Sequence, residues 1–254
     1  MFGMPSMIEL NTVSESVALC KELGLSFLEL NTNFPQHQPH LLDADELVRL
    51  AKDAGIFYTI HLNDDLHVAE FNPHVARGYC DSVLEAIDFA KKISCPVLNM
   101  HLSGGAYYTM PDRRIRFYEA FEESYLQGMT RFRDMCTETI GDAPIRICVE
   151  NTTGYLPFQK KALDTLLESP VFGLTLDIGH NCCADGIDEN YILSHADRLC
   201  HLHLHDVRGK QDHLPFGDGE LELDPYLALA KDRTAVVEVK TVAGLEKSTA
   251  WLNK

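Results

Sequence analysis

Short apolar runs alternate with longer amphipathic stretches along the whole chain. Eight runs rich in Val, Ile, Leu, Phe and Met have the length and composition of buried strands. They are predicted at residues 4–10, 27–30, 57–62, 96–101, 145–150, 173–177, 199–205 and 235–239. The stretches between them carry apolar residues near helical spacing, most clearly over residues 74–92. The pattern therefore predicts strands and helices in strict alternation.

Start and stop signals support several of the helices. The helix predicted at 44–54 follows Asp43 and ends at Gly55, and the first helix opens at Ser14, which is placed to cap it. The predicted helices are 14–23, 44–54, 74–92, 113–139, 159–167, 189–195, 225–230 and 244–251.

Eight strand–helix units follow one another without a Pro/Gly-rich linker, so residues 1–254 are predicted to form one domain. Strands alternating with helices imply parallel pairing through crossovers. Eight such units in 254 residues predict an α/β fold, a single (β/α)8 TIM barrel. A doubly wound open sheet is the competing fold, but the even spacing and the polar strand ends favour the barrel.

Six of the apolar runs end on a residue that can bind a metal or transfer a proton. Burying such groups unpaired is costly, so their recurrence indicates that the strands deliver them to one place, the mouth of the barrel. These residues are His61, His101, Glu150, Asp177, His203 and Glu238. The last four end successive strands and are expected to be neighbours. Carboxylates combined with one imidazole suit a divalent ion such as Mn²⁺, Mg²⁺, Co²⁺ or Zn²⁺.

Further polar residues lie close to these positions in the sequence. His180 follows Asp177 by three residues, and Asp212 and His213 fall in the loop RGKQDHLPFGDGE, whose composition fits an active-site loop. Lys240 shares a strand face with Glu238; it either polarises a substrate oxygen or is an ordinary surface lysine. These residues and the two early histidines are candidates for substrate binding or for additional metals.

Alternation in the seventh strand puts His201, His203 and His205 on the same face. The pattern alone does not choose the metal ligand among them.

Composition narrows the range of partners. The formal charge of −16, from 38 acidic and 22 basic side chains, argues against a nucleic-acid partner but leaves room for a local basic groove. The chain has no apolar stretch as long as a membrane span and no signal-peptide pattern at its N-terminus. Its eight cysteines lack CxxC spacing, as expected for free thiols in a reducing cytoplasm. We therefore expect a cytoplasmic protein, and a homo-oligomer is compatible with the sequence.

Several strings together resemble the xylose isomerase-like TIM barrel superfamily, which includes sugar phosphate isomerases and epimerases. They are HLSGG after the fourth strand, VEN at 149–151, DIGH at 177–180, HLHD at 203–206, HLPFGDG at 213–219 and VEVK at 237–240. The resemblance implies that Glu150, Asp177, His203 and Glu238 hold one divalent metal. It also implies that both glutamates move a proton beside a metal-polarised carbonyl. His203 is assigned by its position three residues before Asp206.

The same strings are similar to the endonuclease IV proteins (AP endonuclease family 2), which use a larger set of ligands around three zinc ions. That resemblance extends the implied ligands to His61, His101, His180 and His213. The sequence departs from the pattern at Gln211, where the endonucleases carry an aspartate, with Asp212 one place later.

Three functional expectations follow from these resemblances and from the residues. The first is a metal-dependent isomerase or epimerase of carbohydrate metabolism, acting on a small sugar, sugar phosphate or related keto-polyol; a dehydratase would use the same first step. The second is a multinuclear zinc phosphodiesterase that cuts at abasic sites. The third is a barrel that binds a metal or a sugar without catalysis.

Overall fold

Eight parallel strands close into a barrel in the computed structural model, which describes residues 1–253. In chain order the strands are β1 (Phe2–Pro5), β2 (Phe27–Asn31), β3 (Phe57–His61), β4 (Val97–His101), β5 (Tyr107–Thr109), β6 (Arg114–Arg116), β7 (Arg146–Glu150), β8 (Phe172–Asp177), β9 (Leu199–Leu204), β10 (Asp206–Arg208), β11 (Gln211–Leu214) and β12 (Thr234–Val237). The pairs β5–β6 and β10–β11 are separate antiparallel hairpins. The other eight strands pair in the order of the chain, and β1 closes the barrel against β12. The predicted TIM barrel is confirmed, and the open sheet is wrong.

Helices separate the barrel strands. They are α1 (Val13–Glu22), α2 (Ala44–Ala54), α3 (Pro73–Lys92), α4 (Phe117–Ala120), α5 (Glu122–Ile140), α6 (Pro157–Leu167), α7 (Ile178–Cys183), α8 (Glu189–Ser194), α9 (Asp224–Leu229) and α10 (Val242–Leu252), with three short 3₁₀ turns at Pro35–His37, Pro39–Leu41 and Ala230–Asp232. Asp43 caps α2, and Gly55 ends it in the left-handed conformation with φ 74°, as predicted. The predicted cap of α1 is wrong. Thr12, not Ser14, accepts from the Glu15 backbone N–H, and the Glu15 side chain completes the capping box.

Two predicted elements differ from the structure. The first strand is Phe2–Pro5 instead of residues 4–10, because the chain turns away from the sheet after Ser6, with the Leu10 N–H donating to the Met7 carbonyl. The long helix predicted at 113–139 begins only at Phe117 and is divided at Phe121 into α4 and α5. Residues 114–116 instead pair with 107–109 in a hairpin, in which aromatic Tyr108 lies opposite β-branched Ile115 and Tyr107 lies opposite Arg116.

Polar side chains fill much of the barrel interior, while apolar ones face the helices. Glu29 of β2, Thr59 of β3 and His201 of β9 meet inside the barrel through hydrogen bonds. Their neighbours Leu28 and Ile60 belong to the apolar core instead, as alternation along a strand requires. The interior therefore forms a polar column below the mouth. No helix within residues 1–253 is both long and apolar enough to cross a membrane.

Candidate metal centre

The four residues expected to hold one ion lie together at the carboxyl end of the barrel. Glu150 and Asp177 are the last residues of β7 and β8, His203 is the last but one of β9, and Glu238 follows β12 directly. A ligand atom of each lies within 4.8 Å of the others. Three of the side chains are at most 1% exposed, and that of Glu238 is 13% exposed.

The imidazole of His203 is at the middle of this cluster. Its Nδ1 lies 2.9 Å from Glu238 Oε2, 3.3 Å from Glu150 Oε2 and 3.9 Å from Asp177 Oδ2. Within residues 1–253, His203 Nδ1 and Glu238 Oε2 are buried without an aligned hydrogen-bond partner. Three carboxylates and one orphaned imidazole nitrogen fit a divalent cation, which would neutralise most of the buried charge and satisfy both orphaned atoms.

Glu150 is held from below by a short polar chain. Asn99 of β4 donates from Nδ2 to Glu150 Oε2, and Thr175 of β8 donates to Asn99 Oδ1 at 2.6 Å. All three side chains are buried. Such supporting partners fix the direction in which a ligand presents its oxygens.

Asp177 is held on several sides. His205 Nε2 lies 3.1 Å from both carboxylate oxygens, and the His180 backbone N–H donates to Oδ1 at 2.6 Å. The backbone of Asp177 is clamped by Asn151, whose side chain accepts from its N–H and donates to its carbonyl, both at 2.9 Å. The strand turns into α7 here with Asp177 as the N-cap, which brings His180 back over the site.

His61 and His101 flank the outer side of Glu150. Their Nε2 atoms lie 3.5 and 3.2 Å from Glu150 Oε2, and the two rings are 5.0 Å apart. The Nδ1 of His61 is 2.8 Å from the Leu62 carbonyl, which leaves Nε2 to face the carboxylate. Burial opposes the charged form of His61, but Glu150 raises its pKa to about 9. The two histidines and Glu150 form a second potential ligand set that shares Glu150 with the first.

His180 and His213 approach from the opposite side. His180 Nδ1 lies 3.2 Å from Glu150 Oε1 and 3.4 Å from Asp177 Oδ2. His213 is in the left-handed conformation with φ 53°. Its ring centroid lies 4.1 Å from that of His205 with the planes tilted by 45°, and its backbone N–H donates to His205 Nδ1. These three histidines form a third potential ligand set. Both nitrogens of His205 already have hydrogen-bond partners, so this set has fewer free ligand atoms for a metal than the two sets that contain Glu150.

The two remaining candidates lie at the rim. Asp212 lines a cavity of about 250 Å³ beside the site together with Thr152, Thr153 and His180, but within residues 1–253 it belongs to no potential ligand set. Lys240 Nζ lies 2.8 Å from Glu238 Oε1, so it contacts a proposed metal ligand as well as solvent.

In the metal centre, attraction between opposite charges shifts the pKa values of the buried groups more than burial does. Burial would lower the pKa of His203, but Glu150 and Glu238 raise it well above its ordinary value. Burial would raise the pKa of Glu238, but His203 holds it well below its usual range. For His180, Asp177 and Glu150 outweigh burial and raise the pKa to about 10. Without a metal, protonated histidines thus balance the carboxylates.

A sequence model of the xylose isomerase-like TIM barrel family matches residues 17–254. The chain belongs to this family. One relative, an uncharacterized protein of Methanocaldococcus jannaschii, is 23% identical over 220 residues, which are 84% of this chain and 76% of the relative.

Solved structures of the same fold include sugar epimerases and an AP endonuclease of family 2. A D-tagatose 3-epimerase-like protein superposes with a TM-score of 0.77 and 20% identity, over 99% of this chain and 95% of its own. The IOLI protein with a binding zinc atom superposes with a TM-score of 0.75 and 14% identity, over 98% of this chain and 95% of its own. AP endonuclease, family 2 from Brucella melitensis superposes with a TM-score of 0.71 and 20% identity, over 99% of this chain and 97% of its own. At identities of 14–20%, the structural similarity to these three proteins establishes the fold of this xylose isomerase-like chain.

Sequence reasoning missed the buried residues that hold the site from below. Glu29 lies in β2, 2% exposed, with Oε1 3.1 Å from His203 Nε2. Asn99 and Thr175 were also missed. The available signal was an acidic residue in the middle of an apolar strand, FLELN, where alternation predicts an inward-facing carboxylate.

Proposed function

We propose that this protein is a metal-dependent isomerase or epimerase that acts on a small sugar, sugar phosphate or related keto-polyol. The observation that carries the proposal is the buried cluster of three carboxylates and one imidazole at the barrel mouth, with an orphaned nitrogen and oxygen facing one another. The fold shared with a D-tagatose 3-epimerase-like protein supports a sugar as the substrate.

Glu150, Asp177, His203 and Glu238 would hold the ion. When bound, the ion supplies a Lewis acid that polarises a carbonyl group of the substrate. Manganese, magnesium, cobalt and zinc all accept this mixed set of oxygen and nitrogen donors. The zinc atom bound by the IOLI protein supports zinc among them.

Glu150 and Glu238 would move the proton. They stand three strands apart around the barrel, so they reach a bound substrate from different sides. Burial by itself would raise both pKa values, but His203 and other cations hold both well below the usual range, so each carboxylate is ionised and able to accept a proton. One would take the proton from the carbon beside the carbonyl, the other would first take up a proton from water and deliver it to the opposite face, and the first would then release its proton to water. Such general acid–base catalysis contributes about 10²- to 10⁴-fold in rate.

The cavity beside the centre would hold the rest of the substrate. Its volume of about 250 Å³ suits a monosaccharide better than a larger ligand. Thr152, Thr153, Asp212 and His180 line it with donors and acceptors that match sugar hydroxyls. On the opposite side, Lys240 would fix Glu238 Oε1 and leave Oε2 for the ion or the proton.

The decisive experiment follows hydrogen exchange. The Mn²⁺-loaded protein is incubated in D₂O with a panel of ketoses and ketose phosphates, and NMR detects deuterium on the carbon beside the carbonyl. We expect exchange together with a new isomer for at least one substrate. Loss of water without isomer formation would assign the same site to dehydration.

Matched variants test the two glutamates. Glu150→Gln and Glu238→Gln should each reduce exchange by about 10²-fold or more. Glu246→Gln, the same change on the exposed side of α10, should leave exchange unchanged. Exchange that persists in both site variants would exclude the glutamates as proton carriers, and a panel without any exchange would exclude the substrate class.

A zinc phosphodiesterase is the second candidate. The specific observation in its favour is the set of His61, His101 and Glu150, which supplies ligands for a second ion beside the first. The fold shared with AP endonuclease, family 2 agrees with it. Gln211 in place of the expected aspartate, the position of Asp212 outside the ligand sets and the net charge of −16 all oppose it.

Metal counting separates the two candidates. One tightly bound ion per chain supports the isomerase, whereas two or three zinc ions together with cleavage of an abasic-site duplex at physiological salt would replace it with the phosphodiesterase.

A further inference from the structure

Glu29 is a carboxylate buried inside the barrel, and no lysine or arginine of residues 1–253 forms an ion pair with it. It is 2% exposed, and its polar contacts from other strands come from Thr59, His201 and His203. A carboxylate in such a place must be compensated by the groups around it, because its water has been removed. Glu29 is not one of the four proposed metal ligands, so its burial needs a separate explanation.

The two oxygens of Glu29 have different partners. Oε2 accepts a hydrogen bond from Thr59 Oγ1 at 2.9 Å and lies 3.1 Å from His201 Nε2. His201 is braced in turn, since its Nδ1 lies 2.6 Å from Thr234 Oγ1. These contacts fix the carboxylate from the side away from the metal centre, so that Oε1 faces His203.

His203 lies between Glu29 and the metal centre. Its Nε2 is 3.1 Å from Glu29 Oε1, a close electrostatic contact without full hydrogen-bond alignment, while its Nδ1 is 2.9 Å from Glu238 Oε2. A carboxylate favours a proton on the nitrogen that faces it and thereby leaves the lone pair on the other nitrogen. With a metal in place of the proton on Nδ1, the contact therefore fixes the orientation of the ring and keeps the remaining proton on Nε2, so that the lone pair of Nδ1 faces the metal.

We propose that Glu29, held by Thr59 and His201, is the positioning residue that presents Nδ1 of His203 to the metal. This inference rests on the proposed metal site but adds a residue of β2 that touches neither metal nor substrate. The alternative is that Glu29, His201 and His203 bind a cation of their own, since their ligand atoms also lie within 4.8 Å of one another. Against it, Glu29 Oε2 and both nitrogens of His201 already have protein partners.

The test measures Co²⁺ affinity by chelator competition and the visible absorption spectrum of the Co²⁺ protein. Glu29→Gln keeps the size of the side chain but removes the charge, and we expect a loss of affinity of about 10- to 100-fold with a shifted spectrum. Glu246→Gln on α10 is the matched control and should bind like the unmodified protein. If Glu29→Gln does not fold, Thr59→Val removes one support of the carboxylate and should give a smaller loss in the same direction.

A double-mutant cycle shows whether Glu29 acts through His203. In a His203→Asn background, Glu29→Gln should cause no further loss of Co²⁺ affinity. An equal loss in both backgrounds, or no loss in either, would overturn the proposal. A drop of one ion per chain with the remaining affinity unchanged would establish the separate cation site instead. Absence of any bound ion in the unmodified protein would refute the proposed function itself, whereas normal binding in all variants would refute only the role of Glu29.

Discussion

Gly179 lies where a side chain would collide with a support of the metal centre. A Cβ added there would meet the ring of His205 at 1.9 Å from Cε1 and 2.3 Å from Nδ1. Non-bonded heavy atoms prefer separations of about 3.5–4.0 Å, so the ring would have to recede by about 1.5–2 Å. We expect Gly179→Ala to push His205 away from Asp177, whose two oxygens it contacts at 3.1 Å.

The size of the effect follows from the steric overlap and from the weakened support of Asp177. Overpacking a buried site costs about 1–3 kcal/mol, and breaking a buried hydrogen bond to a charged group costs about 1.5–3 kcal/mol. Replacing glycine by alanine in a helix returns up to about 1 kcal/mol. We therefore expect the free energy of unfolding of the metal-free Gly179→Ala protein to fall by about 1.5–6 kcal/mol. Metal affinity should fall by about 10- to 100-fold because Asp177 is no longer held by His205.

Urea denaturation of the metal-free protein and chelator competition measure these two effects. Gly78→Ala in α3 is the matched control, since its Cβ would meet no atom of residues 1–253 within 4 Å, and it should stabilise the protein by about 0.5–1 kcal/mol. In a His205→Ala background the collision partner is gone, so adding Gly179→Ala should no longer destabilise. A full penalty in that background, or a single variant with unchanged stability and metal affinity, would refute the steric explanation.

Three further predictions concern protons and an orphaned hydroxyl. Nδ1 of His203 must lose its proton to bind a metal, and the pKa of this imidazole is raised well above its ordinary value in the metal-free protein. Binding should therefore release at least one proton, and affinity should rise about tenfold per pH unit from neutral pH up to that raised pKa. Calorimetry in buffers of different ionisation enthalpy would contradict this by finding no release. The pKa of His180 is about 10 in the folded protein against 6.5 in the unfolded chain, so the stabilisation from its protonated ring is complete below pH 6.5 and is lost as the pH rises through 10. The urea midpoint of the metal-free protein should therefore fall over that range. An equally steep fall in the His180→Gln variant would contradict this. Tyr125→Phe removes a buried hydroxyl that has no hydrogen-bond partner within residues 1–253. The free energy of unfolding, measured by urea denaturation, should stay unchanged or rise by about 1 kcal/mol. A clear decrease would show that the hydroxyl does have a hydrogen-bond partner.

The ends of the strands could be read from the sequence because they depend on local patterns. An apolar run followed by a polar residue marks a buried strand and its end, and this placed Glu150, Asp177 and His203 at strand ends. Alternation has a period of two, so it also put His201 and His205 on the face of His203. It gave no means of choosing among the three, and only the resemblance named His203.

The structure separates these three histidines by their partners. His201 contacts Glu29, which is 172 residues away in sequence, and His205 contacts Asp177. A register shift between β8 and β9 accompanies this arrangement, since Leu174 pairs with Leu199 but Thr175 pairs with His201. Register shifts depend on the pairing of two strands, so neither strand carries the signal alone.

The sequence by itself determined the alternation of strands and helices, the barrel and the residues that its strands deliver to the mouth. Each of these follows from neighbours in the chain, through side-chain periodicity and polar residues at strand ends. Only the tertiary structure decided which nitrogen of His203 faces the carboxylates, that Asn99 supports Glu150 and that Glu29 lies beneath His203. Closure of the barrel brings β2, β4 and β9 to one interior, and contacts across that interior join residues that no local pattern connects.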